Sequence, residues 1–153
     1  MAKRPKVMAV QAAAVLVGAG FLILGVLGFI PGVTTGYEHL AWAGHHSGAK
    51  LFGVFAISGL HNILHLAFGV AAFGCARTYA GARAYLLGGG FIYLGLWVYG
   101  LVIDLTGRAN FMPLNGADNW RHLGLGVLMM LLGVTLAGQH DPTKRRGRAK
   151  VRT

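Results

Sequence analysis

The sequence predicts an all-α, polytopic membrane protein, with four transmembrane helices in two parallel-repeat pairs, N-in and C-in. Three observations predict it. Of 153 residues, 55% are apolar and only 12% are charged, against about 25% charged in soluble domains. Four apolar stretches each approach the roughly 20 residues that cross a hydrocarbon core of about 30 Å. Two patterns also occur twice: LVGAGFLILG at 16–25 against LLGGGFIYLG at 86–95, and NILHLAFGV at 62–70 against NWRHLGLGV at 119–127. The mean hydropathy of +0.57 agrees.

The first stretch, about 7–30, has Gln11 as its one polar interruption. It follows a basic segment, 1–6, with Lys3, Arg4 and Lys6. Its length exceeds the roughly 7–15 apolar residues of a signal peptide, so a retained helix is expected. The second, about 51–76, is broken by Ser58, His61, Asn62 and His65 and is expected to run on toward Tyr79. The third, about 84–104, carries Tyr85, Tyr93, Trp97 and Tyr99. The fourth, about 119–138, starts near Asp118 or Asn119, either of which has a side-chain oxygen suited to capping it. Trp120 then sits at the membrane interface, where aromatic rings favour the headgroups. Residues 139–153 contain KRRGRAK and read as a disordered basic tail. Most of the 25 glycines fall inside the apolar stretches, where small residues let membrane helices approach closely. The triplet Gly88–Gly90 is part of that packing rather than a phosphate loop.

The repeats carry six identities in ten positions and five in nine, at offsets of 70 and 57. A thirteen-residue difference between connections accounts for the two offsets. Both halves run out and back in the same order, so the pseudo-axis lies along the membrane normal. Eleven Lys and Arg flank the N-terminus, the 77–83 loop and the tail, while Lys50, Arg108 and Arg121 lie on the other side. Positive residues face inward, which places both termini in the cytoplasm. The connections 31–50 and 104–119 then face outward. A net charge of +10 concentrated at the termini points to anionic lipid headgroups, not nucleic acid. Cys75 is the only cysteine, so no intrachain disulfide exists.

His61 and His65 are one helical turn apart and share a face. Polar groups in hydrocarbon are costly and turn toward the bundle interior. His61, Asn62, His65, Asp118, Asn119 and His122 are therefore the candidate ligand-binding set, with His61, His65 and His122 as metal candidates. Such a cavity suits haem, through two axial imidazoles, or a divalent metal or a quinone headgroup. The competing reading makes the two NxxH elements hydrogen-bonded clasps between helices. On that reading no cofactor is expected. His122 matches His65 by repeat, yet the two depths disagree unless the second helix is extended. His39, His45 and His46 form a separate group that reads as a solvated loop, and Asp104 as a solvated helix end. Phe91, Tyr93 and Trp97 read as lipid contact or core. No catalytic residue and no nucleophile, phosphate-loop or paired-carboxylate motif appears.

The segments GLHNILHLAFGV and NFMPLNGADNWRHLGLGV resemble a family of small four-helix integral membrane proteins from high-GC Gram-positive bacteria, catalogued as a domain of unknown function. The resemblance spans 7–138 and implies four helices, a place in the bacterial plasma membrane and no established activity. The expected role is a non-enzymatic structural or accessory subunit, working with a membrane-protein partner or as a homo-oligomer. The alternatives are a haem-, metal- or quinone-binding module and a small-solute or proton conduit.

Overall fold

The structure is a computed structural model in which residues 7–136 are described. The basic segment 1–6, the tail 139–153 and the final residues of the 119–138 stretch lie outside the described residues. Four helices make up most of the fold: α1 (Ala9–Leu27), α2 (Gly59–Cys75), α3 (Tyr79–Val102) and α4 (Gly116–Thr135). Of these, α1 and α3 are long and apolar enough to cross a membrane, and α2 is a shorter apolar helix.

Each helix start has a local cause. The backbone N–H of Met8 donates to the Gln11 side chain at 3.0 Å. Ser58 accepts from the His61 N–H, and Thr78 from the Gly81 N–H. The fourth cap is Asn115, whose side chain accepts from the Asp118 N–H at 2.9 Å while Asp118 accepts from the Asn115 N–H. This reciprocal arrangement satisfies two backbone donors at once. The expected caps Asp118 and Asn119 are thus displaced by Asn115, because α4 begins three residues earlier than the apolar run.

Two further expectations are corrected. The second helix does not continue to Tyr79; it ends at Cys75, and Thr78 caps α3. It also starts late, because Lys50–Leu51 and Phe55–Ala56 form strands. Together with Thr34–Thr35 they make a three-stranded antiparallel sheet, a departure from an all-α chain. The turn between the last two strands places Phe52 and Gly53 at positive φ, the conformation a tight hairpin requires. Short apolar runs do not declare their period, which is why this hairpin reads as helix in the sequence. Ala49, Leu51 and Ile57 fill a small core beneath it, against Leu24 and Leu27 of α1.

The helices pack chiefly as α1 on α2 and α3 on α4, with α1 also meeting α3 and α2 also meeting α3. The contacts of one pair recur in the other. A Cβ at Gly18 would meet Gly69 and Ala72, and one at Gly90 would meet Gly126 and Met130. Leu22 covers Gly69 as Leu94 covers Gly126, and Gly28 abuts Asn62 as Gly100 abuts Asn119. These matches put α1 and α3 in register at an offset of 72, not 70. The identity-based alignment lines up the glycine runs; packing instead selects the glycine at each helix crossing, where backbones come closest.

Candidate functional site

The polar residues of α2 and α4 converge near the end of the bundle that carries both long connections. His65 is the seventh residue of α2 and His122 the seventh of α4. Their depths therefore agree through the late start of α2, not through an extended end. Ser58, His61, Asn62, His65, Asp118, Asn119 and His122 are all buried. Six of these are the residues nominated from sequence, and the fold brings them together.

The cluster contains one ion pair. Arg121 Nη2 lies 2.8 Å from Asp118 Oδ1, with side-chain exposures of 9% and 0%. The same nitrogen lies 3.3 Å from His61 Nε2, joining α4 to α2. The guanidinium also stacks 4.6 Å above the Phe55 ring, a favourable position over the π face. The other carboxylate oxygen of Asp118 accepts from the Ala56 N–H at 3.0 Å, and Asn115 Nδ2 donates to the Val54 carbonyl at 2.8 Å. The hairpin is thereby fastened to the start of α4.

Two of the three imidazoles meet aromatic rings. His65 stacks on Phe21 at 5.8 Å, and His122 meets Tyr93 edge-on at 5.4 Å. Phe21 and Tyr93 touch one another at 5.3 Å, linking the halves through the centre. His61 and His65 are adjacent, 4.6 Å between centroids. The amide clasp is present on one side: Asn119 Nδ2 donates to the Gly100 carbonyl at 2.9 Å. Asn62 fills the matching position against Gly28, but neither of its amide atoms has a hydrogen-bond partner. His61 Nδ1, both ring nitrogens of His65, His122 Nδ1, and Arg121 Nε and Nη1 are likewise buried without one. Among the described residues no three of His, Cys, Asp and Glu are grouped to hold a metal ion.

Arg121 is the member that sequence reasoning missed. A cation close to a helix end reads as a topology signal. Its spacing from Asp118, i to i+3 on one helix, was the available clue. Tyr93 resolves as core rather than lipid contact. The His39, His45 and His46 group remains apart, with His39 near Glu38 at 3.3 Å on the surface and His45 against His46. Asp104 reaches neither Arg108 nor Arg121. Its carboxylate accepts from the Thr106 hydroxyl and N–H, which hold its pKa below the ordinary value. Asn110 braces the second connection through Leu105 and Leu114. The Gly44 N–H donates to the Phe111 carbonyl, tying the two connections together.

The profile of a family described as Domain of unknown function (DUF4383) matches residues 11–135. Neither the comparison with curated proteins nor that with solved structures returns a match.

Proposed function

The chain belongs to that family of unknown function, and from this premise we propose a four-span protein of the bacterial plasma membrane, N-in and C-in. Its role in this reading is non-enzymatic: a structural or accessory subunit built as two clasped helix pairs, associating with a membrane-protein partner or with itself. The basic termini bind anionic headgroups, and the long connections face outward.

One observation carries the reading. The helix surfaces are apolar where those of a water-soluble protein are polar, and a polar cluster is buried beside the apolar core. Every helix exposes large apolar residues, among them Leu16, Val70, Phe91 and Leu131, while the buried interior holds three imidazoles, two amides and an ion pair. Exposed apolar surface on this scale needs a covering, and hydrocarbon turns polar groups inward. Trp120 is exposed beside the cluster, at the level where indole rings prefer the headgroups.

The test has two parts. Alkaline carbonate should leave the protein in the membrane pellet. In a Cys75→Ser background, a cysteine at Lys50 should react with an impermeant maleimide from outside intact cells, and one at Arg77 should not. Release by carbonate, or the reverse labelling, overturns the assignment.

A second reading, a binding module on the same cluster, draws on the unpartnered nitrogens of His61, His65 and His122. Detergent-purified protein carrying haem or stoichiometric metal would show a Soret band or elemental metal that His65→Ala and His122→Ala abolish. Colourless, metal-free protein leaves the clasp as the function of these side chains.

A further inference from the structure

Four aromatic rings stand at the end of the bundle that carries the long connections, one beside each helix end. Trp42 packs on Gly59, the first residue of α2, where an added Cβ would meet the indole. Phe111 meets Tyr99 near the end of α3 at 6.3 Å between centroids, and the Tyr99 hydroxyl donates to the Ala109 carbonyl. Trp120 is the fifth residue of α4. The Phe52 N–H donates to the Val33 carbonyl at 3.0 Å. The hydroxyl of Thr34, the next residue, donates to the Leu27 and Gly28 carbonyls that finish α1. All four rings are more than half exposed.

Phe52 carries a second signal. It sits at φ 53° in the hairpin turn, a conformation natural to Gly or Asn and costly for a bulky side chain. Its ring is half in solvent, so packing within the chain does not offset that cost. Strain that the chain itself leaves uncompensated points to a function for the side chain. Val54, across Gly53 from it, is also exposed.

The hairpin lies at the depth of the outer helical turns. The buried cluster Ala49, Leu51 and Ile57 rests on Leu24 and Leu27 of α1, and Phe55 lies under Arg121 of α4. Its exposed tip is therefore continuous with the apolar surfaces of the helices. Rings at such a level leave water by entering the zone of lipid headgroups and ester carbonyls. The two connections carry Lys50 and Arg108 against Glu38 and Asp104, a balance of charge that suits zwitterionic lipid.

We propose that the two outer connections lie in the outer leaflet rather than in water, with Trp42, Phe52 and Phe111 seated beside Trp120 among phospholipid ester groups. The hairpin is then a lateral anchor that fixes the depth of α1 and α4. This assignment rests on the membrane reading and adds a lipid contact for segments that would otherwise be solvated loops.

The experiment is tryptophan quenching in full-length protein reconstituted into phosphatidylcholine vesicles. Bromines are placed on the acyl chains near either the ester or the methyl end. Trp97→Phe/Trp120→Phe leaves Trp42 as the single reporter. Phe52→Trp, Phe111→Trp and Phe91→Trp are each read in a background with all three native tryptophans changed to Phe. Phe91 is exposed halfway along α3, so Phe91→Trp reports the hydrocarbon interior. Shallow bromines should quench positions 42, 52 and 111 at least about twofold more than deep bromines, as rings at the interface require. Phe91→Trp should show the opposite order. If Phe52→Trp fails to fold, bimane on Phe52→Cys in a Cys75→Ser background reads the same depth.

Reporters at 42 or 52 that ignore brominated lipid and are quenched by aqueous iodide overturn the proposal, because the connections are then in water. Reporters that neither quencher reaches overturn it as well, because another protein chain then covers the rings. In both cases quenching of Phe91→Trp by deep bromines leaves the membrane reading intact. Loss of that quenching sinks the membrane reading itself.

Discussion

Asn119 and Asn62 are matched in sequence and in place, but they do unequal things. Asn119 donates to Gly100, and a Cβ at Gly100 would overlap that amide. Gly100→Ala should therefore destabilise the protein by about 1–3 kcal/mol through overpacking, and Asn119→Ala by about 1–2 kcal/mol through the lost bond. Asn62→Ala should cost less than Asn119→Ala, since no bond is lost. Reversible unfolding of each variant in detergent checks the order, and an equal loss from both asparagines would contradict it. Asp118 and Arg121 form a buried pair, so removing one partner leaves a charge unpaired. Arg121→Ala should cost about 3–5 kcal/mol, and the double variant Asp118→Ala/Arg121→Ala less than the sum of the singles. Asp104 has a lowered pKa through its Thr106 bonds. Its contribution is present above the ordinary carboxylate range and is lost as pH falls through the lower folded value. Asp104→Asn should remove that part of the acid dependence; identical acid profiles for the two proteins would exclude it. The asparagines and histidines were legible because polar side chains stand out in apolar sequence. Arg121 was not, because its partners His61 and Phe55 lie far away along the chain.

The helices as elements were legible, and their starts were not. Apolar length marks where a helix runs, whereas the cap marks where it begins. Ser58 and Asn115 occupy equivalent places at an offset of 57, and both caps place an imidazole on the seventh residue. Asn115 also holds the hairpin through Val54. Ser58→Ala should cost about 1 kcal/mol. Asn115→Ala should cost more, about 2 kcal/mol, because it releases the hairpin as well. Hydrogen exchange at the Phe55 and Ala56 amides would show the difference: faster exchange in Asn115→Ala but not in Thr78→Ala, whose cap lies at the other end of the bundle. The hairpin itself was hidden inside an apolar run. Its pairing partner, Thr34–Thr35, comes from across the loop, and only long-range contact reveals it.

At the scale of the molecule, large apolar side chains line the surface as well as the core, and this has a measurable consequence. Leu131 is an exposed residue of α4. In water a Leu131→Lys change on a surface would be nearly neutral. In hydrocarbon it costs about 2.5–3.5 kcal/mol at a helix centre. The substitution should sharply lower the carbonate-resistant fraction of the protein. Unchanged membrane retention and unchanged stability would count against lipid contact at that face. The halves are held by the core and by one polar contact. Phe21 and Tyr93 meet at the centre, and the Arg121–His61 contact closes the loop end.

By itself the sequence determined the helical composition, the pairing of two similar halves and the identity of six polar residues that the fold gathers. These follow from local quantities: apolar length, recurrence of pattern and the cost of a polar atom away from water. The tertiary structure decided the register of 72, the late start of α2 and the place of Arg121. Each of these depends on which surfaces meet. A glycine becomes a crossing point only when a neighbouring helix is laid against it.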